Sequence, residues 1–491
     1  MPAPTPASGR DLTQSIRLVD ATAMVVGIII GASIFVQPSE MTGAVPSIWG
    51  LFAAWSIAGL LTLGGALICA ELSSAFPRTG GVYVYLSETL SPSLGFLWAW
   101  AMFWSMHSGI IAALAMIVAR FAGYFVPLSP AATRLVALSA IVSLSAVNYI
   151  GVRYGSRLQT AFTAGKVSAV VLMVGVAFVA GSWLPAHFVP STNPAGVTMS
   201  GLASAVVAAL FAFGGWHMVT YSAGETIEPS RTIPRALGIG TAIVTVCYLA
   251  LNAAYLYVLP LDGVAASTRV AADAADAILG TGGGAFMSGL VIFSTFGALA
   301  GIVLSGPRVY YSMGADHRWF AWLGAVHARF RTPHRAILLQ AGWSSVLVLT
   351  GTYRALFTRV VYTEWIFFSL LAVGLIAARR RTTRMSMQEV RATSERPSRT
   401  PNPACLDEAL RQQARRSRES RIPALGYAPR YLVPGYPMVP VLFALVSAGV
   451  VLNELASDPA EALTGLGIVL AGLPVYWAGA RRRPSTSSGG L

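Results

Sequence analysis

Residues 210–230 read LFAFGGWHMVTYSAGETIEPS. This apolar run is long enough to enter a lipid bilayer, and two glycines, Gly214 and Gly215, interrupt it. A second apolar run, residues 27–40, reads GIIIGASIFVQPSE and carries glycine, alanine and serine at positions 31–33. At membrane depth, a non-helical backbone is tolerated only where it is buried in protein or lines a cavity. Both stretches therefore predict helices that cross a membrane in two halves beside a cavity.

Ten further apolar runs extend outward from these two. A helix needs about 20 apolar residues to cross the hydrocarbon core of a bilayer. The 491-residue chain contains twelve such runs, centred on 18–36, 48–70, 94–118, 131–150, 162–183, 202–222, 236–258, 286–311, 336–350, 360–378, 437–452 and 462–478. We therefore predict an all-α polytopic membrane protein with about twelve transmembrane helices.

The interrupted runs are the first and the sixth, and each opens a group of five spans. Transporters built from an inverted repeat place their discontinuous helices at these positions, where free N–H groups bind a carboxylate and unwound carbonyls bind a cation. The alternative for Gly27 and Gly31 is a GxxxG packing face between helices. Because the two breaks stand at equivalent positions, we predict a five-plus-five inverted repeat with broken helices one and six.

The composition excludes several classes of protein. Only 11% of the residues are charged and 55% are hydrophobic, whereas a soluble domain carries roughly 25% charged residues. Three cysteines are too few for a disulfide scaffold of this length. The net charge of +14 comes from arginines placed in loops between apolar runs, so we predict a membrane protein and no nucleic-acid partner.

The arginines also predict the orientation. If the N-terminus is cytoplasmic, inside segments hold 28 basic residues and outside segments hold five. By the positive-inside rule both termini are cytoplasmic. The preference for Arg over Lys and the many alanines favour a bacterial inner membrane, which is a plasma membrane.

The runs divide the chain into segments. These are a cytoplasmic N-terminal tail at 1–17, a ten-helix transport core at 18–378 with repeats at about 18–183 and 202–378, a basic loop at 379–430, two additional transmembrane helices at 431–480 and a cytoplasmic tail at 481–491. The loop is predicted to be disordered, apart from a short helix over 406–416. It either tethers the chain to anionic inner-leaflet lipid or is a solvated linker.

Three titratable residues within the apolar runs are candidates for a functional role. Lys166 is the only lysine in the chain. It either snorkels to the interface, or supplies a compact ammonium where a coupling sodium would bind, or titrates during transport. His217, beside the sixth-run break, and His107, in the third run, are candidates either for packing or for proton transfer.

Aromatic residues flank the break in the sixth run. Phe211, Phe213 and Trp216 suit a lid over a small substrate. The sequence contains no His/Cys cluster with metal-ligand spacing, no GxSxG elbow and no Walker sequence. We therefore predict no metal, no cofactor and no enzymatic activity, and an ATP-driven pump is disfavoured.

Six motifs resemble amino acid permeases of the amino acid–polyamine–organocation superfamily, most closely the L-type amino acid transporter branch. They follow one another in the family's order: IIIGASIFVQPSE, AELSSAFPRTGGVYVYLSETL, NYIGVRYGSRLQTAFTAGK, FAFGGWHMVTYSAGETIEPSRTIPRAL, YTEWIFFSLLAVGLIAARRR and VPGYPMVP. The resemblance covers about residues 15–380 and 430–480. It implies sodium-independent amino acid transport by alternating access, as an exchanger or a proton symporter.

The resemblance also implies a binding site. Backbone N–H groups near Ser33 would hold the substrate carboxylate, carbonyls near Ala212 would meet its amine, and Phe211 would act as a gate. Lys166 would stand at the ion site of sodium-driven relatives. The predicted substrate-binding residues are Gly31, Ala32, Ser33, Ile34, Phe211, Ala212, Phe213, Gly214, Trp216 and His217.

The sequence departs from the family pattern in four places. Ser33 replaces the usual glycine and narrows the pocket, and His217 stands where Asn or another polar residue is expected. The basic loop lies outside the pattern. Residues 121–133 contain no cysteine, so no disulfide-linked accessory subunit is expected.

Two other functions remain open on the same fold. A polyamine or organocation antiporter would favour an acidic residue in the cavity, whereas Glu225 and Glu364 are predicted at helix ends. The second open function is a nutrient-sensing receptor that binds its ligand without transporting it. Its Arg-rich loop would then bind a signalling partner.

Overall fold

The computed structural model describes a helical protein. The described residues are 12–35, 37–181, 197–267, 269–280, 282–351, 353–394, 427–457 and 459–481. Within them the only β-structure is an isolated bridge between Ile16 and Thr226.

The first half of the chain forms eight α-helices. They are α1 (Leu18–Ile29), α2 (Gln37–Ala44), α3 (Ile48–Ala75), α4 (Val82–Thr89), α5 (Pro92–Ala101), α6 (His107–Ala122), α7 (Pro130–Ile150) and α8 (Val152–Ala180). A π-helical turn, Met102–Met106, joins α5 to α6. A short 3-10 helix, Ser33–Phe35, separates α1 from α2.

The second half of the chain forms eleven α-helices. It contains α9 (Met199–Ala212), α10 (Pro229–Val258), α11 (Leu261–Ala266), α12 (Val270–Leu279), α13 (Gly283–Ser305), α14 (Pro307–Asp316), α15 (His334–Thr350), α16 (Tyr353–Ser394), α17 (Met438–Ser457), α18 (Pro459–Leu470) and α19 (Gly472–Arg481). Further 3-10 helices cover Trp216–Glu225 and Arg318–Gly324.

Each of the twelve predicted runs contains a helix. Eight helical stretches of described residues are long and apolar enough to cross a membrane, and α1 and the start of α17 are apolar but shorter. The prediction of an all-α polytopic membrane protein is confirmed, and the first and sixth spans are the broken ones.

Small residues let the core helices approach closely, as membrane helices require in the absence of a strong hydrophobic driving force. Gly27 of α1 lies against Thr163 of α8, which leaves no room for a side chain at Gly27. Gly240 of α10 lies against Val25, and a Cβ at Gly240 would stand 2.6 Å from a Val25 methyl group. The packing alternative therefore describes Gly27, whereas Gly31 lies at the break itself.

The predicted loop at 379–430 is shorter in the structure. Helix α16 continues to Ser394, and Arg379 pairs with the buried Glu71 of α3. At the other end of the predicted loop, the Tyr427 hydroxyl and the Val433 N–H also donate to Glu71. These ends are therefore ordered, because a buried carboxylate needs partners. The short helix predicted over 406–416 lies outside the described residues.

Candidate functional site

The first break lies between α1 and the Ser33–Phe35 helix. Helix α1 ends at Ile29, and the chain resumes helical geometry at Ser33. Among the described residues, the N–H groups of positions 31–33 donate to no backbone or side-chain acceptor. Three successive free N–H donors at a helix break form a site for an anion such as a carboxylate.

The second break lies between α9 and the Trp216–Glu225 helix. Helix α9 ends at Ala212, and Gly215 adopts a left-handed conformation with φ 94°. A Cβ at Gly215 would stand 2.5 Å from the Cγ2 atom of Ile28. Glycine is required here both by the backbone angle and by the contact with the first broken helix.

Tyr248 of α10 joins the two breaks. Its hydroxyl lies 3.1 Å from the carbonyl oxygen of Ile29 and 2.9 Å from that of Ala212, and donates its proton to one of them at a time. Both carbonyls are the last of their helical segments and lack the next helical turn as a partner. Nothing in the sequence distinguishes Tyr248 from the chain's other sixteen tyrosines.

Lys166 lies fully inside the protein and holds the first break. Its Nζ atom donates to the carbonyl oxygens of Gly27 and Ile30, each at 2.7 Å. The hydroxyl of Ser294 on α13 lies within reach of the Ile30 and Gly31 carbonyls, at 3.3 and 3.0 Å. The ammonium thus occupies the position where unwound carbonyls of a broken helix coordinate a cation. The snorkelling alternative does not describe Lys166, since its exposed fraction is 1%.

A cavity of about 110 Å³ lies between the two breaks. Seven of the predicted binding residues line it, namely Gly31, Ala32, Ser33, Phe211, Ala212, Gly214 and Trp216. The cavity is smaller than the roughly 300–1,000 Å³ of pockets for drug-sized ligands. Its dimensions suit a small solute.

Three predicted binding residues do not line this cavity. Ile34 is buried beside it. Phe213 packs edge-on against Trp55, with ring centres 6.1 Å apart. His217 is buried against Phe368, whose ring centre is 4.9 Å away. Neither ring nitrogen of His217 has a hydrogen-bond partner among the described residues.

Further lining residues come from three other helices, where the sequence alone could not separate inward from outward faces. They are Ile110 and Leu114 of α6, Ala298 and Ile302 of α13, and Glu364, Trp365 and Phe368 of α16. Glu364 corrects a sequence-based expectation. Because α16 begins at Tyr353, Glu364 lies within the helix and faces the cavity, whereas it was predicted at a helix end.

Glu225 has a different role from Glu364. Its carboxylate forms a bidentate ion pair with Arg308 of α14, with distances of 2.8 and 3.0 Å. Both side chains are fully buried, and Asn148 of α7 accepts a further bond from Arg308 at 3.0 Å. Glu225 thus fixes the far end of the second broken helix, as its predicted place at a helix end allows.

The N-terminal segment also binds this end of the broken helix. The N–H groups of Ser15 and Ile16 donate to the Glu225 carbonyl at 2.9 and 3.0 Å, and the Ile227 N–H donates to the Ile16 carbonyl at 2.9 Å. The first residues before α1 and the last residues of the second broken helix therefore form one hydrogen-bonded unit.

Two helices broken at equivalent positions around a small cavity, with free N–H groups at one break, define a membrane carrier of the broken-helix class. A family model described as amino acid permease matches residues 16–390. The chain belongs to this family.

Named relatives extend the similarity over most of the chain. The serine/threonine exchanger SteT of Bacillus subtilis (strain 168) is 28% identical over 479 residues, covering 96% of this chain and 98% of the relative. The Asc-type amino acid transporter 1 of Mus musculus is 30% identical over 383 residues, which cover 75% of this chain and 71% of the relative. The b(0,+)-type amino acid transporter 1 of Homo sapiens is 26% identical over 473 residues, which cover 95% of this chain and 88% of the relative.

Proposed function

We propose that this chain is a sodium-independent secondary transporter that moves amino acids across the plasma membrane by alternating access. The observation that carries the proposal is the row of free N–H donors at residues 31–33 beside the cavity. These donors suit the carboxylate shared by all amino acids. The names of its relatives, which are amino acid transporters and exchangers, support the same substrate class.

Sodium independence is argued from Lys166. A sodium ion at the first break would need the carbonyls of Gly27 and Ile30, and the ammonium already bonds to both. Without sodium, two modes of operation remain, exchange of one amino acid for another or symport with a proton.

An organocation or polyamine antiporter is the second candidate, because Glu364 faces the cavity. A polyamine has no carboxylate, however, and would leave the N–H donors at residues 31–33 unpaired. The amino acid proposal is therefore stronger. No described feature favours a receptor without transport.

The orientation and surroundings remain proposals from the sequence. We place both termini in the cytoplasm of a bacterium, by the positive-inside rule. No disulfide-linked accessory subunit is proposed, and the basic segment at 379–430 is proposed either to contact anionic inner-leaflet lipid or to act as a solvated linker.

The test is uptake of a labelled amino acid mixture into sodium-free proteoliposomes. Uptake only into vesicles preloaded with unlabelled amino acids identifies an exchanger, and accumulation in empty vesicles under an inward proton gradient identifies a symporter. Labelled putrescine, in a parallel arm, tests the polyamine alternative. Absence of amino acid uptake by folded protein in both arms overturns the proposal.

A further inference from the structure

A second cavity lies apart from the one between the two breaks. It is enclosed by α5, the π-helical turn, α14, α15 and the Arg318–Gly324 helix. Its volume is about 440 Å³, within the roughly 300–1,000 Å³ of pockets that hold organic ligands. None of the described residues that line it is charged, and seven of these fourteen are aromatic. We call this cavity the aromatic groove, and its lining suits a hydrocarbon chain.

One side of the aromatic groove is open towards the membrane. Leu338, Gly342 and Val346 line it at intervals of four residues and therefore share one face of α15. Leu338 is 58% exposed and Val346 is 42% exposed. Helix α15 covers the ninth predicted span, and an exposed apolar face of a membrane helix contacts lipid tails, which are as apolar as leucine. An acyl chain can therefore enter the groove from the side.

The inner wall of the groove is preformed. The Trp343 Nε1 atom donates to the Trp104 carbonyl at 3.2 Å, and the two rings meet edge-on with centres 5.0 Å apart. The Tyr310 hydroxyl donates to the Met102 carbonyl at 3.2 Å, on the same π-helical turn. Because these polar atoms are bonded within the wall, an apolar occupant leaves none of them unpaired.

One end of the groove carries arginine. Arg335 precedes Leu338 and Leu339 by one turn of α15 and therefore lies on the groove face of that helix. Its Nη1 atom donates to the Trp322 carbonyl at 3.3 Å, which places the guanidinium where α15 and the 3-10 helix meet. Arg318 begins this 3-10 helix. It stands roughly 8 Å along the backbone from Trp322, at about 2.0 Å per residue.

These two arginines are available to an anion. Both are exposed, and neither pairs with a carboxylate in the described part of the chain. The acid next to them in sequence, Asp316, accepts a hydrogen bond from the Tyr83 hydroxyl at 2.9 Å. A guanidinium presents five N–H donors in a fork that matches a phosphate. The end of the groove therefore suits a phosphate group.

This end of the groove also lies at the depth of lipid head groups. Trp319 and Trp322 are about half exposed, and tryptophan is enriched at the interface between membrane and water. In the orientation proposed above, this interface is the cytoplasmic one. The cytoplasmic leaflet is the one that carries anionic lipid.

We propose that the aromatic groove binds one anionic phospholipid, with an acyl chain along the aromatic wall and its phosphate on Arg335 and Arg318. Basic pockets between membrane helices on the cytoplasmic side recognise anionic head groups in this way. The site lies outside the basic segment at 379–430. It is also independent of which solute the chain transports.

The experiment is native mass spectrometry of the full chain in detergent, titrated with phosphatidylglycerol or with phosphatidylcholine of identical acyl chains. We expect one phosphatidylglycerol to be retained about tenfold more tightly than phosphatidylcholine, because two arginines attract the anionic head group. Equal retention of the two lipids overturns the proposal.

Two variants locate the bound lipid. Gly342→Leu fills the groove, since a Cβ at Gly342 meets nothing within 4 Å, and it is expected to abolish retention of phosphatidylglycerol. Gly238→Leu in α10, where a Cβ also meets nothing within 4 Å, is the matched control and should bind as the wild type does. Arg335→Gln should weaken binding roughly fivefold, whereas Arg157→Gln, at an exposed arginine of α8, should not.

The remaining outcomes are equally decisive. Wild-type affinity for phosphatidylglycerol in Gly342→Leu would assign the lipid to another surface, such as the basic segment, and the proposal would be wrong. A wild-type dimer that retains no lipid, and that separates into monomers in Gly342→Leu, would show that the groove holds a second copy instead. If Gly342→Leu does not fold, the comparison of Arg335→Gln with Arg157→Gln decides the question.

Discussion

Lys166 and Glu364 are two ionisable side chains beside the same broken helices, and their surroundings differ. The Lys166 Nζ atom donates to two backbone carbonyls at 2.7 Å, which holds this side chain at the first break. The Glu364 Oε1 atom lacks a bond among the described residues and faces the cavity. One group maintains the site and the other is available to whatever enters it.

Replacement of Lys166 by methionine tests the first of these roles. The variant removes the donor to the carbonyls of Gly27 and Ile30. Ser294 can still reach the Ile30 oxygen, but the Gly27 carbonyl loses its side-chain donor, and an orphaned buried acceptor costs about 1–3 kcal/mol. We expect labelled amino acid uptake to fall roughly tenfold or more. Lys166→Arg should not restore uptake, because the lysine side chain already packs tightly against the backbone of Gly297 and leaves no room for a guanidinium. A Cβ added at Gly297 would stand 2.8 Å from the Cε atom of Lys166.

The control for this prediction is Arg157→Met, an exposed cation on the same helix α8. It should retain normal uptake. Folding of each variant is followed with a thiol-reactive dye, since Cys69 and Cys247 are buried in the native protein. Uptake by folded Lys166→Met within twofold of wild type would show that the ammonium is dispensable.

Residue roles were predictable from the sequence only where a residue type was rare. Lys166 stood out because it is the single lysine, and the positions around both glycine-rich breaks were found from their motifs. Tyr248 and Glu364 lie within regular helices, and their directions depend on how those helices rotate against their neighbours. A helical repeat of 3.6 residues gives the angle between side chains but not which face turns inward.

At the scale of the element, the second break depends on one glycine. Gly215 has φ 94°, a region in which residues with a side chain are strained by about 1–3 kcal/mol. The same position lies against Ile28 of α1. The two broken helices therefore meet at a point where neither has room for additional atoms.

Gly215→Ala is expected to lower the thermal unfolding temperature and to reduce uptake. Alanine is strained at the backbone angle of this position, and its methyl group would collide with Ile28. Dye labelling of the buried cysteines on heating measures the first effect, and proteoliposome uptake measures the second. Gly238→Ala in α10, where an added methyl meets nothing within 4 Å, is the matched control. Equal unfolding temperatures for the two variants would contradict the assigned strain.

The helices themselves were predictable, because length and apolar content identify a membrane span without knowledge of its neighbours. The end of α16 was not. Polar, arginine-rich sequence after residue 378 predicted a loop, yet Arg379 is held by Glu71, 308 positions away in the chain. A local pattern carries no information about such a distant partner, which overrides the local preference for disorder.

For the molecule as a whole, Glu71 joins α16 to the chain that leads into α17. It bonds Arg379 on one side, and Tyr427 and Val433 on the other. Burial and the hydrogen bond to Glu71 raise the pKa of the Tyr427 phenol, which stays protonated and able to donate. Arg379 also lies 4.1 Å from the centre of the Tyr436 ring.

Because Glu71 holds α16 at Arg379 and the returning chain at Tyr427, replacing residues 395–426 with a 16-residue Gly/Ser linker, of roughly 20–24 Å typical span, should leave uptake in neutral-lipid vesicles within twofold. Vesicles with anionic lipid form the second arm. Lower activity there alone assigns the segment to lipid binding, whereas equal activity in both arms identifies it as a linker. Loss of uptake in neutral vesicles would show that the transport core needs the segment.

The bridge between Ile16 and Thr226 has a consequence for biosynthesis. These residues stand about 210 positions apart, and chains are made at about 5–20 residues per second. The segment around Ile16 must therefore wait roughly 10–40 s for its hydrogen-bonding partner. During that interval five spans enter the membrane while the opening residues remain unpaired. The pairing around Ile16 is therefore completed only after the sixth span has been made.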